Sequence, residues 1–201
     1  VPRSHLSAAD VVDAAAALAD DVGFDAVSFS AVARSLGVRA PSLYSHVRDL
    51  AALRDALAES ALRDLSERIS HAIAGRSGAS ALRGLANAHR ALATESPGRW
   101  QALQRRVGAS VVGSGAARAV VELTSAVLRG YALPEREHVH AIRLIGSAIN
   151  GFITLESSGG FDHSDPAPDA SWERALDALD SLLCAWPAGA DDNTGTKGEH
   201  Q

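Results

Sequence analysis

Apolar side chains recur every third or fourth residue over most of the chain, and this period points to an all-α fold. Val11, Ala15, Leu18 and Val22 follow at intervals of four, three and four behind Ser7, a residue suited to cap a helix start, and Gly23 stands where that helix would stop. Ser28 precedes a short amphipathic run, Phe29 to Leu36, closed by Gly37; a third short segment follows at Ala40 to Val47. Asp49 is placed to cap a longer helix carrying Leu50, Leu53, Leu57 and Leu65. The turn-like GRSG at Gly75–Gly78 predicts a break, and further helices are expected over about 80 to 95, 97 to 107, 114 to 130, 135 to 156 and 171 to 186. Nothing alternates with period two for more than a few residues.

These segments predict a first unit over 7–50, a connecting helix over 50–70 and a second unit over 79–187. The stretch SSGGFDHSDPAPDAS reads as a loop, and residues 188–201 as a disordered tail. VPRSH, residues 1–5, is set aside. A hydrophobic content of 46% with 21% charged residues belongs to globular chains, and no run of about 18 apolar residues predicts a membrane span. No charged start leads into an apolar stretch, so the cytoplasm is the expected compartment. Cys184 is the single cysteine; on an apolar helix it is expected to be inert packing.

A formal charge of −5 argues against a nucleic-acid role, yet the charge is segregated. From Ala26 to Arg48 there is no Asp or Glu, while Arg34, Arg39 and Arg48 are present, and Asp10, Asp13, Asp20, Asp21 and Asp25 all lie before this window. Two short helices joined at Gly37 have the outline of a helix-turn-helix. Pro41 fits the first turn of the second helix, where a missing N–H is harmless and a fixed φ suits the helix. Val32, Leu36, Val38, Leu43 and Val47 have the spacing to pack the two helices together, which leaves Ala40, Ser42, Ser45 and His46 outward with Tyr44 at one edge. Small groups allow close approach in a major groove about 12 Å wide, and polar ones meet base edges and phosphates.

The run FDAVSFSAVARSLGVRAPSLYSHVRDLAALRDALAE resembles the N-terminal DNA-binding domain of the tetracycline-repressor (TetR) family, whose pattern falls on Ser28, Ala33, Leu36-Gly37-Val38 and Leu43-Tyr44-Ser45-His46. The C-terminal half more loosely resembles the family's ligand-binding domains of the type named for a Trp-His-Gly motif, through SPGRW and INGFITLESSGGF. The resemblance implies a regulator, most simply a repressor, that binds a palindromic DNA operator as a homodimer and is released by a small-molecule effector, with no cofactor, metal or catalytic residue. It carries DNA contacts onto Ser28, Ser30, Arg39, Ala40, Pro41, Ser42, Tyr44, Ser45 and His46, and Arg48 is added as a phosphate neutraliser. Three positions depart from the pattern. Arg39 stands where Ser or Thr usually caps, weakening that start by roughly 1 kcal/mol; Leu50 replaces a phosphate-gripping lysine; Asn150 replaces the motif histidine.

In the family the last two long helices form a four-helix bundle with those of the partner. The seams Ile142, Ile145, Ile149 and Trp172, Leu176, Leu179, Leu183 repeat at the spacing of helix pairs and are the expected dimer surface, the competing reading being that they fill the subunit's own core. His89, Trp100, Gln104, Thr124 and Asn150, polar or aromatic groups on apolar helices, are the expected effector-pocket residues. ASVVGSGAAR lacks the third glycine and the strand context of a dinucleotide fingerprint, and is expected to be a flexible connection. His138 and His140 would point to different helix faces, and no motif positions a nucleophile near His163. The rival function is an all-α binding protein or enzyme whose helix-turn-helix is incidental.

Overall fold

The computed structural model describes residues 6–187, so the VPRSH segment and the predicted tail at 188–201 lie outside the described residues. Nine α-helices account for the described chain: α1 (Ala8–Val22), α2 (Phe29–Ser35), α3 (Leu50–Ile73), α4 (Gly78–Glu95), α5 (Pro97–Leu103), α6 (Ala109–Val112), α7 (Gly115–Leu128), α8 (His138–Ser157) and α9 (Pro168–Cys184). Short 3-10 turns stand at Phe24–Ala26, Ala40–Ser45 and Glu135–Glu137. Local chemistry sets the early boundaries. The Ser7 hydroxyl oxygen accepts from the Asp10 N–H and the Asp10 carboxylate accepts from the Ser7 N–H, a reciprocal cap in which the serine alone contributes about 1 kcal/mol. Gly23, at φ +91°, ends α1 in a conformation that disfavours any other residue.

Four expectations about the elements need correction. The helix expected over 97–107 stops at Leu103, and the supposed flexible connection contains α6 before Ser114 caps α7 through the Ala117 N–H. The short helix expected over 40–47 is a 3-10 helix limited to Ala40–Ser45, with an Arg39 cap that makes no side-chain bond. The end of the predicted loop belongs to α9, because Pro168 suits a first helical turn and Asp169 complements its positive end.

Two hydrophobic clusters organise the molecule. One gathers Val11, Ala15, Phe24, Val32, Leu43 and Val47 from the first unit; the other gathers Leu82, Leu92, Trp100, Ile145, Ile149 and Trp172 from the second. α3 serves both, giving Leu53, Leu57 and Ala58 to the first and Leu65 and Ile69 to the second. α5 does likewise, with Ala102 in one and Trp100 in the other.

The seam residues expected at a dimer surface belong to the subunit's own core. Ile145, Ile149, Trp172, Leu176, Leu179 and Leu183 are buried against α4 and each other, and Ile142 packs against them half-buried. A helix turns its most apolar stripe toward the nearest partner, which here is its own chain. Cys184 is exposed, not packed.

Candidate nucleic-acid interface

α2 and the 3-10 turn meet at Gly37, whose φ of +66° reverses the chain after Leu36; the Val38 N–H then donates to the Ala33 carbonyl at 2.9 Å. Leu43 and Val47 point inward from the turn and are buried beneath Val32, Phe24 and Val27, each contributing roughly 1.5–3 kcal/mol of apolar burial. With those two anchored, Pro41, Ser42, Tyr44 and Ser45 are exposed, while Ala40 and His46 are half-exposed at the edges. The Tyr44 ring is 59% exposed and lies flat on Phe29, centroids 4.7 Å apart and planes within 4°. That stack fixes the ring, so the phenol is presented from a rigid base.

The hydroxyls differ in what they have left to offer. Ser28 caps α2 by accepting from the Ala31 N–H at 3.3 Å, which leaves its O–H free to donate. Ser45 donates to the Ser42 carbonyl at 2.8 Å and retains only acceptor capacity. Ser30 and Ser42 are exposed. Arg39 is exposed and has no carboxylate partner among the described residues, as has Arg34 on the last turn of α2. Arg48, 82% exposed, pairs through Nε with Asp49 at 2.7 Å, while the other oxygen of Asp49 accepts from the Ala52 N–H and caps α3. The Ala52 N–H first and Arg48 second hold the Asp49 carboxyl below its usual range. The acid-free window therefore carries less net charge than its arginines suggest, since Asp49 directly follows it. Near the other end, His46 adds a small Coulombic pull on Asp10, whose carboxyl is lowered mainly by the Ser7 hydroxyl. Leu50 is half-buried against the first core and offers no charge where the departure from the family pattern lies.

A second set of contacts ties this face to the rest of the chain. Gly98 of α5 lies so close to the Ala19 carbonyl that no side chain fits between them. Beside it the Arg99 N–H donates to Asp20 at 2.9 Å, and the Arg99 side chain reaches Asp20 and Asp64. Gln101 accepts from the Phe24 N–H at 3.0 Å, Arg105 pairs with Asp25 at 2.6 Å, and the Gly108 N–H donates to Asp55 at 3.0 Å. These residues were not expected from the pattern; the only signal was Gly98 inside SPGRW, a small residue just inside a helix start.

Of the five expected pocket residues, four fall into two contacting pairs in the regulatory half, His89 with Trp100 and Gln104 with Asn150. His89 Nδ1 lies 2.8 Å from the Leu85 carbonyl, and the ring sits edge-on to Trp100; desolvation pushes its imidazole below the ordinary value. Gln104, one turn beyond Trp100, donates to Asn150 at 3.3 Å, and Asn150 donates to the Gly146 carbonyl at 2.7 Å. Thr124 instead donates into its own helix, to the Val120 carbonyl. None of the five lines the two apolar grooves nearby, one of about 540 Å³ bordered by α3, α6 and α7 and one of about 260 Å³ between α8 and α9.

Comparison with known proteins gives the arrangement a context. Residues 11–57 match the family model described as bacterial regulatory proteins, tetR family, and residues 82–179 match one described as tetracyclin repressor-like, C-terminal domain. The uncharacterized HTH-type transcriptional regulator YobS of Bacillus subtilis (strain 168) is 32% identical over 164 residues, covering 82% of this chain and 86% of that protein. A second such regulator, Rv0681 of Mycobacterium tuberculosis, is 33% identical over 164 residues, covering 81% and 75%. Among solved structures, a TetR variant from Acinetobacter baumannii AYE in complex with minocycline superposes with a TM-score of 0.64 at 25% identity, covering 88% of this chain and 96% of that one.

Proposed function

Because the chain belongs to the TetR family of helix-turn-helix transcriptional regulators, we propose that it is a homodimeric repressor that reads a palindromic operator with two copies of residues 39–48 and lets go when a small molecule binds its C-terminal half. It is a DNA-binding regulator, not an enzyme. The observation that carries the reading is the surface built on Leu43 and Val47: both are buried, and the residues between and around them are small, polar or cationic and exposed. Tyr44, Ser28, Ser30 and Ser42 supply donors for phosphates, Ser45 and His46 supply ring or oxygen acceptors, and Ala40 and Pro41 keep the tip slim enough for a groove. Arg39 and Arg48 provide charge, Arg48 taking the part that Leu50 cannot.

One such surface is too small for tight binding, and a two-fold pair reading half-sites ~34 Å apart answers that need. The partner surface we assign is the outer face of α8 and α9 that runs beside the buried seams, where Ala148, Ala175, Ala178 and Leu182 border the groove between the two helices. Leu144, Ala148, Gly151 and Leu155 repeat at four, three and four, as do Ser171, Ala175, Ala178 and Leu182. Leu155 and Leu182 are exposed, and a Cβ at Gly151 would meet nothing within 4 Å, so a second pair of helices has room to approach closely. We place the regulatory half in the Trp-His-Gly type on SPGRW and INGFITLESSGGF. The effector is assigned to His89, Trp100, Gln104, Asn150 and Thr124. The minocycline held by the Acinetobacter protein supports a small-molecule effector for this one, of a chemistry set by its own residues. No described helix is long and apolar enough to cross a membrane, which suits work beside chromosomal DNA in the cytoplasm.

Binding to the DNA flanking the chain's own gene, measured at several salt concentrations, tests this. The expected result is a preference for a palindrome with log K falling by about 0.9 per phosphate contacted. Tyr44→Ala with Arg48→Ala should weaken that binding by roughly a hundredfold without altering the sedimentation coefficient. Equal, weak binding to any duplex would overturn the proposal.

A further inference from the structure

Five arginines among the described residues are half-buried: Arg54, Arg68, Arg83, Arg90 and Arg99. Four of them are held by carboxylates: Arg68 by Asp64, Arg83 by Glu173, Arg90 by Glu156 and Arg99 by Asp20. Arg54 is the exception. Its guanidinium lies over the Phe24 ring at 5.4 Å, and its Nε is buried with no hydrogen-bond partner. A cation drawn out of water needs an opposite charge or a full set of acceptors, and a ring face satisfies neither requirement for an N–H.

The surroundings make the deficit larger. Arg54 lines a cavity of about 220 Å³ where the helix-turn-helix unit meets the end of α5, and Arg105 and Arg106 line it too. Two carboxylates share the walls, but each is engaged: Asp25 with Arg105, and Asp55 with the Gly108 N–H. Three guanidiniums face two acids, so the cavity keeps a positive excess, and Arg106, like Arg54, has no carboxylate partner among the described residues. The Arg105 bridge is solvent-exposed on both sides and is therefore a weak competitor for a better acceptor.

We propose that this junction cavity binds a small oxyanion, a carboxylate- or phosphate-bearing metabolite, with Arg54 and Arg106 as its primary donors and Arg105 as a third recruited from Asp25. Guanidinium forks match both oxyanions with paired N–H donors. The volume is below the roughly 300–1,000 Å³ of pockets for drug-sized ligands, which restricts the guest to a compact anion. Drawing Arg105 away from Asp25 removes one contact between the turn at Phe24–Ala26 and the loop after α5, so occupancy acts on the coupling between the two units. As a route to regulation this rests on the reading of the chain as ligand-responsive; as a binding site it stands apart from that reading.

Calorimetric titration of the full-length protein in chloride buffer, without DNA, with inorganic phosphate and separately with succinate, tests the site. Saturable binding of either is expected, and which one binds more tightly identifies the class. Arg54→Gln and Arg106→Gln should each weaken it roughly tenfold, whereas Arg118→Gln, an exposed arginine outside the cavity, should leave it unchanged. Arg106 is exposed, so its replacement reads out binding even if Arg54→Gln unfolds, which thermal melting would show. No saturable heat with either anion, or equal weakening by Arg118→Gln, overturns the proposal. At constant ionic strength the preferred anion should also lower operator affinity in the wild type and not in Arg106→Gln. Binding without that change keeps the site and removes its regulatory role, and failure to bind any operator counts against the DNA-binding reading alone.

Discussion

Leu43 and Val47 are buried while their neighbours Tyr44 and His46 face outward, and this inward-outward sorting was legible in the sequence because apolar and polar residues occupy separate positions there. What the sequence could not show was how the outward side chains restrain one another. The Phe29–Tyr44 stack joins residues fifteen apart, and the division of Asp49 between Arg48 and a helix start depends on which way its carboxylate turns. His89 gives a test at this scale. Its imidazole is pushed below the ordinary 6.5 by desolvation. As pH falls below that value the unfolded chain takes up a proton that the folded chain refuses, so stability is greatest above 6.5 and declines until the folded value is reached. Urea midpoints at pH 7.5 and 5.5 should therefore differ more in the wild type than in His89→Gln, and an equal difference would show that His89 is solvated.

Helices bounded by capping chemistry were the easiest elements to locate, and those whose ends are set by packing were the hardest. Ser7 and Asp49 cap the helix starts they were expected to cap, and Ser28 caps α2 in the same way, whereas the early end of α5 follows from no residue preference. The seams of α8 and α9 show a deeper ambiguity. Both helices carry two stripes at the same three-and-four spacing, one of large side chains throughout and one that mixes leucines with Ala, Gly and Ser, and periodicity alone does not say which meets the subunit's own core. Size decides: Ile145, Ile149, Trp172 and Leu176 fill space that alanines and glycines would leave empty. α5 offers the matching experiment. A methyl at Gly98 would collide with the Ala19 backbone, so Gly98→Ala should destabilise the protein by about 1–3 kcal/mol in urea titration and lower operator affinity as α5 is levered off α1. Unchanged stability would mean that the two helices separate freely in solution.

For the whole molecule, the dimer reading and the core reading predict opposite phenotypes for residues six positions apart on the same helix. Leu182→Glu places a charge on the outer face, 42% exposed in the single chain, and should yield folded monomers by sedimentation with little loss of thermal stability. Leu176→Ala removes a buried side chain and should lower folding stability by about 2–5 kcal/mol whatever the assembly state. If Leu182→Glu stays dimeric, the outer face is not the interface. Between the two units runs α3, 24 residues and about 36 Å long, whose first half is built into one hydrophobic cluster and whose second half into the other. Regulatory halves from other members of the family are therefore not interchangeable at a loop. A functional chimaera must be spliced within this rod, near Ala61, so that each inherited segment keeps the side chains that its own cluster was shaped around.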